Sequence, residues 1–207
     1  MSYCNWGNTS SINLKYHNEE WGVPLHDDKK QFEFLMLEVM QCGLSWNTII
    51  NKREIFRRCF DDFDYDKIAL YTDYDIARII NTPGMIKSPR KISAIIHNAV
   101  CFQSIRQEFG TFSQYLWNYS DNKTIIYEHH NDGYIPASNG LSATISQDLR
   151  KRGFKYLGPV VIYSHLQACG IINDHDKNCP RYQYINSHFK VSPKRRYLEN
   201  QIHYFGD

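Results

Sequence analysis

The sequence predicts an all-α fold, and three features of its 207 residues support this prediction. Apolar residues recur at helical spacing through most of the chain. Residues that favour helix starts and glycines that favour helix ends border these apolar stretches. No pair of alternating segments flanks a tight hairpin turn, so the pattern does not predict paired strands. Hydrophobic residues make up 42% of the chain, which is enough for a core without disulfides.

The helical patterns have recognisable ends. They cover residues 26–43, 45–63, 65–80, 90–110, 141–153 and 156–170. The first pattern starts at an acidic N-cap, Asp27 or Asp28, and stops at Gly43. The second begins with a serine cap at Ser45. Residues 120–140 have no regular period, so we expect an irregular connection there.

The later patterns are equally well marked. In the fourth, Ile92 and Ile95 share one stripe, and Gly110 closes the segment. The fifth places Leu149 on its apolar stripe and ends at Gly153 after two basic residues, which suit a helix C-terminus. The sixth is mostly apolar, so we expect it to be the last helix and largely buried.

The charge and hydropathy of the sequence limit which partners and which cellular location we expect. The net charge is only +2: residues 180–207 sum to +3 and residues 1–179 sum to −1. Nucleic-acid binding would therefore need local basic patches. We expect one compact unit over 1–179 and a loosely packed basic tail over 180–207. No apolar run has the length of a membrane helix, and the N-terminus lacks a signal-peptide pattern. We therefore expect a cytoplasmic monomer with reduced cysteines and no membrane partner.

Two cysteines and two histidines at opposite ends of the chain could complete one metal site. His175 and Cys179 have the spacing that places two side chains on one face of a helix. Cys4 and His17 would add the other two ligands, and this donor set suits Zn²⁺. A site with four protein ligands is structural, because catalytic zinc keeps an open position. Each residue alone has an ordinary interpretation as a thiol or a packed histidine, and His188 is an alternative ligand.

Glu38 is the candidate functional carboxylate. Its helical neighbours Phe34, Leu35 and Cys42 are apolar, and a carboxylate on an apolar face is costly unless something satisfies it. A bound ligand in an aromatic pocket could do so. The aromatic candidates for that pocket are Trp6, Tyr16, Trp21 and Trp46. The alternatives are that this face of the helix meets solvent, or that Glu38 pairs with a lysine.

The stretch 79–92 joins two helical patterns through Pro83 and Gly84. A tight turn before a helix presents backbone N–H groups that can hold a phosphate. Three basic residues follow the turn, namely Lys87, Arg90 and Lys91. The alternative is a helix–turn–helix packing unit whose charges are solvated.

Together these motifs resemble the 3-methyladenine DNA glycosylase I family of the helix-hairpin-helix DNA glycosylase superfamily. The matching stretches run in order from residue 4 to residue 179 and include YHNEEWGVP (16–24), FEFLMLEVMQCGLSW (32–46), LRKRGFKYLGP (149–159) and YSHLQACGIINDH (163–175). The resemblance places a helix-hairpin-helix element at about 76–108. It implies a helical glycosylase fold in which a zinc site joins the N-terminal and C-terminal segments.

The resemblance also assigns roles to individual residues. It implies a structural Zn²⁺ on Cys4, His17, His175 and Cys179. It implies a base pocket of Glu38, Tyr16, Trp46 and Trp6, with Glu38 as the catalytic residue. Leu44 corresponds to the wedge that fills the gap left by a flipped base. Gly84, Lys87, Arg90 and Lys91 would contact DNA phosphates.

The implied activity is base excision from double-stranded alkylated DNA. A monofunctional glycosylase would release 3-methyladenine and leave an abasic site. Residues 84–120 contain no aspartate, in keeping with this family, whereas many related glycosylases carry a catalytic one there. The sequence departs from the family pattern at Asn13, at Pro89 and in the missing second hairpin glycine. The alternatives are a non-catalytic module that binds damaged DNA or nucleobases, and a zinc hydrolase, which would need an open metal position.

Overall fold

The computed structural model describes residues 4–128 and 135–194, which are predominantly helical. Its α-helices are α1 (Ser11–Glu19), α2 (Asp28–Gln41), α3 (Trp46–Asn51), α4 (Arg53–Cys59), α5 (Tyr65–Ile68), α6 (Asp73–Asn81), α7 (Pro89–Phe109), α8 (Phe112–Asn118), α9 (Gly140–Lys151), α10 (Pro159–Ala168) and α11 (Pro180–His188). Two short 3₁₀ helices lie at Asn5–Thr9 and Asp61–Phe63, and the strands are β1 (Thr124–Tyr127) and β2 (Val191–Lys194). None of the described helices combines the length and apolar character needed to cross a membrane.

Most predicted helix ends are confirmed by their caps. Asp27 caps α2 by accepting a hydrogen bond from the Lys30 amide at 2.8 Å, and Ser45 caps α3. The chain turns after α2 and α7 at Gly43 and Gly110, both with positive φ. The predicted helix over 45–63 is instead broken into α3, α4 and a 3₁₀ turn, because Lys52 has a non-helical conformation between the first two.

Three expectations about strands and the chain end are wrong. Residues 124–127 form a strand inside the stretch predicted to be irregular, of which 129–134 lie outside the described residues. Strand β2 pairs with it in parallel, with Thr124 opposite Val191. The helix α10 is not the last, since α11 follows it. Residues 180–194 are therefore ordered rather than a loose tail, and residues 195–207 lie outside the described part.

By its internal contacts the chain divides into two compact units. The first unit comprises Met1–Leu25, Leu116–Gln147 and Gly158–Asp207, and the second comprises His26–Tyr115 and Asp148–Leu157. The expectation of one compact glycosylase unit over 1–179 stays a prediction.

The first unit is built around α1, α10, α11 and the small sheet. The β1 residue Ile125 is fully buried, and its backbone also bonds to the segment after α10, with its amide donating to Ile171 O at 2.7 Å. The Asn173 amide in turn donates to Ile125 O at 2.9 Å. This ladder therefore holds the segment after α10, which leads directly to His175.

The second unit is built around α2 and α7. Aromatic rings fill the space between them: Phe102 stacks on Phe112 with centroids 4.3 Å apart and meets Phe32 edge-on at 5.1 Å. All three rings are fully buried. At the start of α2, the Asp28 carboxylate accepts from Arg106 Nε at 2.9 Å, which ties that end of α2 to α7. The hairpin formed by α6 and the start of α7 belongs to the same unit.

Candidate active site and metal centre

Four potential metal ligands lie together in the first unit. They are Cys4, His17, His175 and Cys179, all buried, with their donor atoms within 4.8 Å of one another. His175 Nδ1 is 3.2 Å from His17 Nε2 and 3.5 Å from Cys4 Sγ. Cys179 Sγ is 3.7 Å from each of these histidine nitrogens. The structure therefore brings together the four residues that the sequence placed at opposite ends of the chain.

These separations fit a tetrahedral metal ion. With metal–nitrogen bonds near 2.0 Å and metal–sulfur bonds near 2.3 Å, the tetrahedron edges are about 3.3 Å for N–N and about 3.6 Å for N–S. The other ring nitrogen of each histidine has its own partner: His17 Nδ1 is 2.8 Å from Asn18 Oδ1, and His175 Nε2 is 3.1 Å from Trp21 O. Such outer hydrogen bonds fix the tautomer that leaves the inner nitrogen free to bind a metal.

The backbone around the cluster differs from the sequence prediction in one respect. His175 lies in the loop between α10 and α11, and Cys179 is the N-cap of α11, so the pair does not share a helix face. A turn brings them together, with the Cys179 amide donating to Asp176 O at 2.7 Å. Gly22 is required beside this loop, because a Cβ there would lie 2.7 Å from His175 Nε2. The alternative ligand His188 is exposed, and its Nδ1 lies 2.9 Å from Tyr184 O.

A cation would relieve the electrostatic cost of this cluster. Burial raises the pKa of Cys4 to about 12, because a thiolate is poorly solvated there. Burial also lowers the pKa of His175 to about 3, so this imidazole is neutral and its nitrogen can bind a metal. A divalent ion favours the thiolate form of cysteine. The donor set, its spacing and its outer partners all fit a metal ion with four protein ligands.

Aromatic rings surround the cluster in the first unit. Trp21 meets His175 edge-on with centroids 4.5 Å apart, and Trp6 meets Trp21 at 5.0 Å. Tyr16 is buried, with its ring centroid 6.2 Å from that of Trp6. Trp21 therefore packs on the ligand loop, whereas Trp6 and Tyr16 extend the aromatic group along α1.

Glu38 lies in the second unit, near the end of α2. It is 7% exposed, and no described residue donates a hydrogen bond to its carboxylate or forms an ion pair with it. Burial raises its pKa to about 8. The expectation that it faces apolar surroundings is confirmed, and the alternative that a lysine pairs with it is not. Its carboxylate can accept hydrogen bonds from a ligand and favours a ligand that carries positive charge.

Glu33 in the same helix is the contrasting case. Burial opposes its ionisation too, but Arg53 and Arg57 donate to the same carboxylate oxygen at 2.8 and 2.6 Å. These two guanidinium groups outweigh the burial and lower the pKa of Glu33 to about 2. A buried carboxylate of this unit is thus neutralised where its role is structural. Among the described residues Glu38 has no such partner, which makes it a candidate for binding a ligand.

Residues 42–45, the wedge turn, connect α2 to α3. The Leu44 amide donates to Gln41 O at 2.6 Å, and its side chain is 40% exposed. A leucine held on a short turn with that exposure is available for contact with a partner. Trp46 follows at the first position of α3 and is half-buried. The wedge turn therefore lies between Glu38 and Trp46, two of the predicted pocket residues, in the chain.

The hairpin turn between α6 and α7 presents polar groups to solvent. Gly84 has φ +80°, and a Cβ there would also lie 2.9 Å from Ile55 Cδ1. Lys87 and Arg90 are exposed, as a phosphate contact requires. No described residue accepts a hydrogen bond from the amides of Gly84, Ile86 or Lys87. Pro89 is the first residue of α7, a position where proline has no hydrogen bond to lose.

The structure contradicts the surface role predicted for Lys91. This side chain is 9% exposed, and its ammonium donates to Met40 O at 2.7 Å and to Cys42 O at 2.6 Å. It satisfies carbonyls at the end of α2 rather than facing solvent. Lys52 was not among the predicted site residues, and its ammonium donates to Gly84 O at 2.6 Å. Only its position after α3 could have pointed to this contact, because the partner is 32 residues away in the chain.

The predicted base-pocket residues are divided between the two units. Tyr16 and Trp6 belong to the first unit, and Glu38 and Trp46 belong to the second. Within the second unit, Glu38, the wedge turn and the hairpin are connected through α2 and Lys91. Within the first unit, the aromatic rings are connected to the metal-ligand cluster through Trp21.

Comparison with known proteins gives concordant matches along most of the chain. Residues 6–182 match the family model described as methyladenine glycosylase. The chain is 38% identical over 182 residues to DNA-3-methyladenine glycosylase 1 of Escherichia coli (strain K12), covering 88% of this chain and 97% of the relative. It is 36% identical over 177 residues to DNA-3-methyladenine glycosylase of Haemophilus influenzae, and the match covers 86% of this chain and 96% of that relative. The structure is similar, with a TM-score of 0.82, to a crystal structure of a variant of 3-methyladenine DNA glycosylase I in complex with 3-methyladenine, at 37% identity and coverage of 87% and 97%.

Replacing Glu38 with glutamine should stabilise the protein in a pH-dependent way. The folded-state pKa of Glu38, about 8, lies above its ordinary value of 4.5, so the wild type loses stability as pH rises from 4.5 to 8. The slope from this one group is at most about 1.4 kcal/mol per pH unit. Thermal unfolding should therefore give a Glu38→Gln variant that matches the wild type near pH 4.5 and melts higher at pH 8.

Glu33→Gln is the matched control from the same helix. Its carboxylate has a lowered pKa of about 2, so its ion pairs stabilise the protein above pH 4.5 and are lost as pH falls toward 2. Glu33→Gln should therefore melt lower than the wild type at pH 8. A Glu38→Gln variant that is also destabilised at pH 8 would contradict the unpaired state of Glu38.

Proposed function

The chain belongs to the methyladenine glycosylase family, and on that premise we propose that it is a monofunctional base-excision repair enzyme that hydrolyses the N-glycosidic bond of 3-methyladenine in alkylated DNA. Its relatives bear the name DNA-3-methyladenine glycosylase, so the enzyme is a DNA-repair hydrolase. The observation that carries the proposal is the buried, unpartnered carboxylate of Glu38. We propose double-stranded DNA as the partner and a monomeric, cytoplasmic enzyme.

The charge of the damaged base explains the use of an unpaired carboxylate. 3-Methyladenine in DNA carries formal positive charge, and an enzyme that acts on it must first take it out of the base stack. Glu38 accepts hydrogen bonds from the exocyclic amine of this purine, and the bound cation favours the ionised carboxylate. The ring of Trp46, in the same unit as Glu38, would stack on the base, where a cation–π term adds to dispersion. Tyr16 and Trp6 stay predicted contacts of the base. An uncharged adenine gains neither electrostatic term.

The chemical step asks little of the protein. Water forms a bond to the sugar carbon C1′, and the N-glycosidic bond breaks with its electron pair moving to the base. Because the bound base is a cation, it leaves as neutral 3-methyladenine without first gaining a proton, and the water loses a proton to solvent. The sugar becomes an abasic site. The contribution of the enzyme is extrusion, orientation and electrostatic stabilisation of the bound base.

Two further observations concern residues near the hairpin that could otherwise serve as an acid or as a lyase nucleophile. Glu108, the only acidic residue between 84 and 120, has its carboxylate bound by Arg152 at 2.5 and 3.1 Å, so it does not serve as a catalytic acid. Lys91, close in sequence to the hairpin, donates its ammonium protons to two backbone carbonyls. A lysine held in that way is not the free amine that a Schiff-base lyase needs.

We propose that DNA is held by the hairpin and the wedge turn. The exposed Lys87 and Arg90, with the unpaired amides of the turn around Gly84, would contact phosphates. Leu44 would enter the gap left by the extruded base, since its exposed side chain stands on a turn braced from both sides. Lys91 is excluded from the phosphate contacts by its burial.

The buried cluster is proposed to hold a structural Zn²⁺. Cys4, His17, His175 and Cys179 would supply all four ligands, so the ion would bind no water and take no part in hydrolysis. This argues against a zinc hydrolase. The ion would join the N-terminal segment to the loop after α10 within the first unit, which stabilises the fold there.

The activity itself is tested by release of free base from methylated duplex DNA. The wild type should release 3-methyladenine, and Glu38→Gln should do so about a hundredfold more slowly, because the neutral amide loses the attraction for a cationic base. Chromatography of the released bases measures both. Absence of release by the folded wild type would favour a non-catalytic damage-binding module, and equal rates would remove Glu38 from the mechanism.

The wedge is tested by Leu44→Ala. Loss of the side chain should weaken binding to duplex DNA that carries an abasic site about tenfold, while binding of free 3-methyladenine stays unchanged. Fluorescence anisotropy and calorimetry give the two affinities. Leu70→Ala, which shortens a leucine that is 80% exposed elsewhere in the second unit, should alter neither. Equal affinity of Leu44→Ala for duplex DNA would refute the wedge.

The metal site is tested by Cys179→Ser. The variant should lose bound zinc in elemental analysis and melt about 10 °C lower, because a metal bound only by the folded state adds several kcal/mol of stability. Cys169→Ser, which changes a fully buried cysteine outside the cluster, should keep one zinc per chain. Unaltered zinc content in Cys179→Ser would contradict the four-ligand assignment.

A further inference from the structure

Two helix ends of the second unit meet at a single ammonium group. Lys91 is the third residue of α7, and its side chain crosses to the end of α2, where it donates to Met40 O and Cys42 O. The last carbonyls of a helix have no partners within the helix and carry partial negative charge. One cation therefore satisfies two of them, and Cys42 is the first residue of the wedge turn.

The residue before Lys91 faces the other way. Arg90 is exposed next to Lys87 at the hairpin turn, whereas Lys91 is buried. The first turn of α7 thus presents one face to solvent and the opposite face to the wedge turn. A displacement of the hairpin has to move the Lys91 ammonium or break its two short hydrogen bonds.

A second lysine makes the reverse connection. Lys52 ends α3, the helix that follows the wedge turn, and its ammonium donates to Gly84 O in the hairpin turn. Lys91 in α7 therefore contacts the start of the wedge turn, and Lys52 at the end of α3 contacts the hairpin turn. Residues 42–45 are braced on both sides by lysine–carbonyl contacts.

We infer that Lys91 is a positioning residue for base extrusion, which couples the phosphate-binding hairpin to the wedge turn that carries Leu44. This inference rests on the proposed function. Phosphates held at the hairpin would fix how deeply Leu44 enters the duplex and where Glu38, one helical turn before Cys42, meets the extruded base. Lys52 has the supporting role, because it is only half-buried and its ammonium donates to one carbonyl rather than two.

The role predicts a particular pattern of kinetic loss. Lys91→Met keeps an apolar stem of similar length and removes the ammonium. Under single-turnover conditions it should release 3-methyladenine from duplex DNA ten to about a hundred times more slowly than the wild type, since a displacement of about 1 Å has effects of that size. Release from single-stranded DNA, where no stacked duplex has to be opened, and the affinity for free 3-methyladenine should change by less than about threefold.

Two variants separate positioning from simple destabilisation. Lys91→Arg keeps the charge and the donors, so it should recover much of the duplex activity. Lys29→Met, on the exposed start of α2, should behave as the wild type with duplex DNA, single-stranded DNA and free 3-methyladenine. Hydrogen exchange of the amides of residues 43–46 should be faster in Lys91→Met than in Lys29→Met, and this measurement does not depend on catalysis.

The results that overturn the inference are distinct from failure of the function. If duplex and single-strand release fall by the same factor, or if duplex release by folded Lys91→Met is unchanged, Lys91 does not position the wedge. If Lys91→Met fails to fold, Lys91→Arg is compared with Lys29→Met: slower release by the same factor from duplex and from single-stranded DNA, with unchanged exchange at 43–46, overturns the inference. Absence of base release by the wild type refutes the proposed function alone, and the exchange of residues 43–46 then still decides whether Lys91 holds the turn.

Discussion

The cost of burying the Glu38 charge is the constraint around which the proposed site is organised. Helix α2 carries two buried carboxylates, and the protein treats them in opposite ways. Glu33 receives two arginines and ionises readily, whereas Glu38 receives no partner and has a pKa of about 8. Pairing Glu38 would have been more stable, but a paired carboxylate has little remaining attraction for a cationic base. In the proposed function, the unpaired state trades stability for recognition of charge, which is the property that separates 3-methyladenine from adenine.

Other contacts hold the residues of each unit that have a role in the proposed function. Lys91 donates to two carbonyls at the end of α2, and Lys52 donates to Gly84 O in the hairpin turn, so these contacts connect the wedge turn and the hairpin. The metal-ligand cluster does comparable work in the first unit, where it ties Cys4 and His17 to the loop after α10. The Trp6 ring meets the ring of the ligand His17 edge-on at 5.5 Å, and Tyr16 precedes His17 in α1, so both aromatic residues lie beside the metal-ligand cluster. Neither the lysine–carbonyl contacts nor the metal-ligand cluster needs to take part in the chemical step.

The sequence predicted what depends on local patterns and on residue types. Caps at Asp27 and Ser45, the stop at Gly43, the apolar setting of Glu38 and the ligand types of the metal cluster are all local or compositional. The predictions were wrong where contacts between residues distant in the chain determine the structure. The strand at 124–127 forms because residues 191–194 pair with it, and neither segment alternates clearly enough to predict that pairing. Lys91 resembled its exposed neighbours Lys87 and Arg90, and only the approach of α2 makes it a buried donor. His175 and Cys179 have helical spacing but lie in a loop, because a turn can place residues four apart as close together as a helix can.

The most direct test of this account is a pH titration of the Glu38 carboxyl group by NMR in protein with ¹³C-labelled glutamate, with its signal assigned by its absence in Glu38→Gln. We expect a midpoint near pH 8 in the free protein, because the charged form is buried and has no partner among the described residues. We also expect that this midpoint falls when DNA that contains a non-hydrolysable cationic purine is bound. A midpoint near the ordinary value of 4.5 in the free, folded protein would contradict the account, since Glu38 would then be solvated or already paired.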